Sequence, residues 1–164
     1  MVFIFIDINL VTFEIKARLI TITGPRGSLT RSFRHASISI IKMGKQRIML
    51  EKVNSTTRDV ALLNTISSHI TNMIKGVTKR YVIRAISRMF PIGIDITENG
   101  TKLTIEKLFG GLEKRNYSFP QGVTIRPSGL LKDEYYVEGN DIELVSRSGI
   151  RSLVTVSLFF ARDV

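Results

Sequence analysis

Between Thr56 and Tyr81 the chain reads TTRDVALLNTISSHITNMIKGVTKRY, and this stretch constrains the fold more than any other. Val60, Leu63, Ile66, Ile70, Met73 and Ile74 recur at steps of three and four, so they share one helical face. Thr56 or Thr57 is suited to the N-cap, and Asp59 falls in the first turn, where a carboxylate suits the helix dipole. Lys75 followed by Gly76 predicts the end, a cation in the last turn and then a residue able to take a left-handed conformation. The pattern predicts a helix over about 58–75, and Gly76–Tyr81 reads as a hinge. Strand-like segments lie on both sides, so the helix is expected to close one domain and lead into the next.

The segments before the helix fit an antiparallel sheet. MVFIFIDINL alternates and meets Asp7 early without a basic lead, which predicts a strand rather than a signal peptide. FEIKARLITIT (13–23) is rich in β-branched residues and reads as strand; Gly24-Pro25-Arg26-Gly27 turns the chain, and Leu29–Phe33 runs back. Ile38, Ile40 and Met43 suggest another strand, and QRIMLEKV (46–53) the last before the helix. Strands followed by one long helix make a sheet with the helix across one face.

The second half repeats the plan. A shift of 84 places pairs Arg18 with Lys102, Leu19 with Leu103, Gly27 with Gly111, Arg31 with Arg115 and Phe33 with Tyr117. It also carries Thr57 onto Asp141, where a second helix is expected to start, with Ile142, Val145, Ile150 and Leu153 on its buried face. Strands are expected at Ile92–Thr97 and Lys102–Leu108, joined at Glu98-Asn99-Gly100. Lys114–Phe119 and Val123–Arg126 are expected to continue that sheet, followed by Asp133–Glu138. The expected fold class is α+β, two tandem similar domains over 1–82 and 83–164, each an antiparallel sheet with one helix packed across it.

Charge divides the halves. Residues 1–84 carry fourteen Lys/Arg against four Asp/Glu, whereas 85–164 carry ten of each. A basic half attracts a polyanion, and counterion release makes RNA the obvious candidate, with a merely solvated basic surface as the alternative. There is no cysteine, which removes disulfides and thiolate chemistry. His35 and His69 lack the spacing of a metal site, Asp133-Glu134 would point to opposite faces of a strand, and no GxSxG elbow occurs. No apolar run is long enough to span a membrane. No enzyme activity, cofactor, metal, membrane contact or small-molecule substrate is expected.

The most suggestive polar feature is Gly24-Pro25-Arg26-Gly27, where glycines allow close approach to a phosphate and Arg26 supplies a forked donor, with Arg31 and Arg34 close in sequence. It is not a P-loop, since GxxxxGK[ST] is absent; taken alone it is an ordinary hairpin turn. Gly110-Gly111, with Lys114 and Arg115 beyond, is its counterpart. Lys75, Lys79 and Arg80 bracket the hinge, either as phosphate donors or as caps that keep the helix exit soluble. Tyr81 has two readings, base stacking and packing at a domain junction.

SSHITNMIKGVTKRY resembles the matching stretch of the universal large-subunit ribosomal protein L-six family, in its archaeal and eukaryotic branch. KARLITITGPRGSLTRSF (16–33), FPIGIDITENG (90–100) and KDEYYVEGNDIELVS (132–146) resemble further stretches in the same order. The first ten and last eighteen residues fall outside the resemblance. It implies two similar α+β domains and a structural role in the large subunit, supporting cytoplasmic translation. The implied partners are large-subunit rRNA near the stalk base, factor-binding region and sarcin–ricin loop, and neighbouring ribosomal proteins. It implies a cytoplasmic ribosomal location, with nucleolar assembly in a eukaryote. With it, Gly24, Pro25, Arg26, Gly27, Arg31, Arg34, Lys75, Lys79, Arg80, Lys114 and Arg115 are the expected rRNA contacts. A non-ribosomal RNA-binding module is the competing reading.

Overall fold

In the computed structural model the described residues are 2–7, 11–44, 46–86, 93–106, 114–129, 134–153 and 159–163. They fall into two compact units, Met1–Lys79 and Arg80–Val164. The fold is α+β: each unit combines antiparallel strands with one helix.

The first unit runs β1 (Val2–Asp7), β2 (Thr12–Lys16), β3 (Leu19–Gly24), β4 (Gly27–Ser32), β5 (Ser39–Met43), β6 (Arg47–Lys52) and α1 (Thr57–Thr78). The strands form two sheets, ordered β1-β6-β5 and β2-β3-β4. The second unit runs β7 (Tyr81–Ile86), β8 (Gly93–Thr97), a 3-10 turn at Glu98–Gly100, β9 (Lys102–Glu106), β10 (Arg115–Ser118), β11 (Val123–Pro127), β12 (Glu134–Gly139), α2 (Ile142–Leu153) and β13 (Phe159–Asp163). Its sheets are β10-β9-β8 and β11-β12-β7-β13. The wiring is the same in both. The first strand pairs with the strand before the helix (β1 with β6, β7 with β12), the next three form a separate meander, and β13 is the one addition among the described residues.

Helix α1 holds the first unit together. Leu63, Ile66, Ile70, Met73 and Val77 are buried against Phe13, Ile20, Ile22, Phe33, Ile48 and Leu50 from both sheets. Val60 and Ile74 flank this stripe half-buried. Thr56 is the N-cap: Asp59 Oδ2 accepts from its backbone N–H and its hydroxyl, both at 2.9 Å. In the second unit the core among the described residues includes Leu103, Ile105, Val123, Ile125, Val137 and Val145, with Tyr81, Ile83 and Tyr135 packed against it.

Five expectations are corrected. Residues 13–23 are not one strand but a hairpin, turning at Ala17-Arg18 with φ of 47° and 63°. Neither residue advertises a turn; Arg18 Nη1 donates to Ala36 O at 2.9 Å and Phe33 N–H donates to Arg18 O at 2.8 Å, so distant partners hold it. Helix α1 runs past Gly76 to Thr78, because Gly76 and Val77 are buried in the same core as the rest of the stripe. Tyr81 does not end a hinge but begins β7, a central strand flanked by β12 and β13. Strand β11 does not continue the β8–β10 sheet; it pairs with β12, where Val123 and Ile125 reach the core beside α2. Ile150 is exposed rather than buried: it lies five residues beyond the buried Val145, about 140° around the helix. The Asn99-Gly100 turn is found where expected, with both residues at positive φ. Gly110-Gly111, Ile92, Lys107, Leu108 and Asp133 lie outside the described residues.

Candidate nucleic-acid interface

The residues of the Gly24–Gly27 turn have a structural reason inside the first unit. Strands β3 and β4 pair through Gly24↔Gly27, leaving Pro25-Arg26 as a two-residue connection. Gly27 sits at φ 130°, a conformation that L side chains rarely adopt. A Cβ on Gly24 would lie 2.8 Å from both Val77 Cγ2 and the Val77 carbonyl oxygen. The turn is docked on the last turn of α1, and the Arg26 N–H donates to that carbonyl at 3.1 Å. The docking satisfies a helix-end carbonyl that would otherwise need water.

This packing also gathers charge. Lys75 lies in the last turn of α1, and Lys79 is its C-cap, with its N–H donating to Lys75 O at 2.7 Å. Arg26, distant in sequence, therefore shares one exposed end of the unit with Lys75 and Lys79. Three cations here outweigh the partial negative charge of the helix C-terminus and leave a net attraction for an anion. Arg31 and Arg34 do not join them. Arg31 pairs with Ile20 further down the hairpin, half-buried, with its guanidinium 5.9 Å from the Phe33 ring. Arg34 is further still, next to the Ala17-Arg18 turn, roughly 20 Å from Arg26 at ordinary strand rise.

Two of the three second-unit candidates, Arg80 and Lys114, are engaged with carboxylates. Arg80 Nη1 donates to Glu138 Oε2, and Arg126 Nε donates to Glu138 Oε1. Arg84 pairs with Glu134, which is fully buried, and Glu134 Oε1 also accepts from the Tyr136 hydroxyl at 3.5 Å. Arg126 stacks 5.3 Å from the Tyr136 ring. The arrangement ties β7, β11 and β12 together across the face opposite α2. Lys114 pairs with Glu106 at 2.5 Å, a hydrogen bond and charge attraction that raise its pKa above the ordinary lysine value. Arg115 opens β10 and is exposed. Tyr81 packs on the second core.

Sequence reasoning missed the Arg84–Glu134 and Arg126–Glu138 pairs. One signal was available: in EYYVEG, Glu134, Tyr136 and Glu138 alternate, so both carboxylates share a face. Among the described residues no three His, Cys, Asp or Glu are grouped to hold a metal ion. No described helix is long and apolar enough to cross a membrane.

The family model described as Ribosomal protein L6 matches residues 9–80. Similarity to individual proteins extends further. The Large ribosomal subunit protein uL6A of Schizosaccharomyces pombe is 41% identical over 140 residues, which span 84% of this chain and 73% of that protein. The uL6B protein of Saccharomyces cerevisiae is 37% identical over 142 residues, 84% of this chain and 74% of its own. The uL6 protein of the archaeon Ignicoccus hospitalis is 32% identical over 144 residues, 84% and 75% of the two. The matches to these proteins extend well beyond the first unit, where the family model stops. On that likeness the chain belongs to the ribosomal protein L6 family.

Proposed function

We propose that the chain is a structural protein of the large ribosomal subunit that holds rRNA in place and carries out no chemistry of its own. The observation that carries this reading is the cationic end of the first unit, where the Gly24–Gly27 turn docked on α1 brings Arg26 beside Lys75 and Lys79. Exposed cations on a rigid support suit phosphate contacts, which position a protein on RNA shape rather than sequence. Family membership supports the subunit, and the expected location in it is the stalk base and factor-binding region near the sarcin–ricin loop. Contacts with neighbouring ribosomal proteins, assembly in the nucleolus of a eukaryote and service in cytoplasmic translation belong to the same reading.

Sedimentation of the tagged protein through a sucrose gradient after a high-salt wash tests it. Stoichiometric travel with the large subunit is the expected result. A free protein at the top of the gradient that still binds RNA would favour a non-ribosomal RNA-binding module. Salt titration with rRNA fragments then locates the contact. Replacing Arg26, Lys75 and Lys79 together by Gln should reduce the slope of log K against log salt by roughly 2–3, close to one per phosphate neutralised. An unchanged slope would remove this end of the unit from the interface.

A further inference from the structure

The second unit contains a cleft of about 550 Å³ between β10 and α2. Its walls include Asn116, Tyr117 and Phe119 from the strand side and Leu144, Arg147 and Ser148 from the helix. Leu144, Arg147 and Ser148 follow helical spacing, so one face of α2 forms a whole wall. Tyr117 and Phe119 are half-buried: they pack on the second core and also border the cleft. The volume lies in the range of small-ligand sites and accommodates a nucleotide.

The composition of the walls selects the ligand. Two aromatic rings and a leucine suit a flat, weakly polar ring system. The exposed Asn116 amide supplies hydrogen-bonding groups that a lipid-binding cleft would not place there. Arg147 is exposed and able to stack on a base or meet a phosphate, and among the described residues no carboxylate lines the cleft. β10 is an edge strand of its sheet, so part of its backbone hydrogen-bonding capacity faces away from β9. Arg115 precedes Asn116 on that strand and extends positive charge along its approach. Bases within a duplex are stacked and paired and do not enter a cleft. An unpaired base does, and aromatic stacking with nearby cations is the usual way proteins hold one.

We infer that the β10–α2 cleft receives a single unpaired nucleotide, its base between the Tyr117/Phe119 side and α2 and its phosphate toward Arg147 and Arg115. This rests on the RNA-binding reading above and assigns the second unit a contact of a different kind from the first: base capture rather than phosphate attraction.

The test uses the full chain with three probes: a twelve-nucleotide single-stranded RNA carrying one 4-thiouridine, the same sequence as a duplex, and free UMP. Phe119→Leu keeps the apolar bulk and removes the ring, and Arg147→Gln removes surface charge alone. All four tyrosines lie in the second unit, so unchanged tyrosine-monitored melting shows that each variant is folded. The expected result is photocrosslinking of the single strand to Tyr117 or Phe119. Phe119→Leu should also lower single-strand affinity by roughly five- to a hundredfold and leave duplex affinity unchanged. Crosslinks confined to residues outside 116–120 and 144–148 would overturn the cleft and leave the rRNA reading standing. UMP bound more tightly than the oligonucleotide would overturn an RNA strand as the occupant. Failure to bind any RNA, rRNA fragments included, would overturn both readings.

Discussion

The two units share one wiring diagram and treat the same sheet face in opposite ways. In the first, the face of β1-β6-β5 turned away from α1 leaves Phe3, Phe5, Ile41 and Met43 exposed, with Arg47 and Glu51 on the same face. In the second, the matching face of β7-β12-β11 carries Arg84, Arg126, Glu134, Tyr136 and Glu138, linked by ion pairs. The charge follows the same division. Residues 1–79 hold twelve Lys/Arg against four Asp/Glu, and residues 80–164 hold twelve against ten. The first unit gathers Arg26, Lys75 and Lys79 at one exposed end. In the second, Arg84 and Arg126 on this face join strands. One plan therefore yields an exposed cationic end in one copy and an internally neutralised sheet in the other.

The largest effect expected from breaking this contrast is at Glu134. Glu134→Ala leaves Arg84 without its partner on a covered sheet face, which costs about 3 kcal/mol, the lower end of the usual range because Arg84 is partly exposed and can turn to water. Tyrosine fluorescence during urea unfolding reads it, since every tyrosine lies in the second unit and there is no tryptophan. Replacing the pair together, Arg84→Met with Glu134→Leu, should recover most of the loss. If Glu134→Ala were silent, the ion pairs would not be what holds this face.

Gly24→Ala comes next and acts in the first unit. The new methyl meets both the Val77 side chain and its carbonyl, so the turn must lift off α1 at a cost of about 1–3 kcal/mol. Adding Val77→Ala should recover only part, because the carbonyl contact remains. Amide exchange at Arg26 should rise, while the tyrosine-reported transition stays in place. Phe5→Thr should be smaller again, within about 0.5 kcal/mol, since Phe5 stands on the exposed face and threonine suits a strand. A larger loss in urea unfolding followed by circular dichroism would mean that the open apolar face supports the fold.

What was legible in the sequence depended on how far away each residue's partner lies. Helix α1 could be read because its stripe from Leu63 to Met73 repeats locally, and its cap, Thr56 with Asp59, closes within four residues. The Asn99-Gly100 turn was equally local. The Ala17-Arg18 turn was hidden, because the groups that hold it sit at Phe33 and Ala36 and neither residue favours positive φ. Tyr81 reads as the end of a hinge and β7 is hidden, since its partners, β12 and β13, lie some fifty residues or more further on. Among the candidate contacts, the presence of cations at 26, 75 and 79 was legible. That Arg26 meets the helix end and Arg34 does not is a property of the hairpin's docking. Arg80 looked like part of the same group, and only the fold reveals its tie to Glu138.

The finest distinction between the units is their response to pH, through one titrating group in each. Asp59 has its pKa lowered below 3.8, first by the hydrogen bond from the Thr56 backbone, then by the Thr56 hydroxyl, with Lys52 also contributing. A folded value below the unfolded one gives stability that is complete above pH 3.8 and is lost as pH falls through the folded value. Lys114 is the reverse: Glu106 raises its pKa above 10.5, so its contribution is complete below 10.5 and is lost as pH rises through the folded value. Asp59→Asn should therefore flatten the acid limb of the first unit's stability, followed by circular dichroism below pH 4. Lys114→Gln should flatten the alkaline limb of the second; amide-I infrared melting is the readout there, because tyrosine itself ionises in that range. Both changes are small, since each alters one charge of a single surface pair. Their value lies in which unit responds. An acid limb flattened in the second unit by Asp59→Asn would mean that the two copies do not melt as separate units.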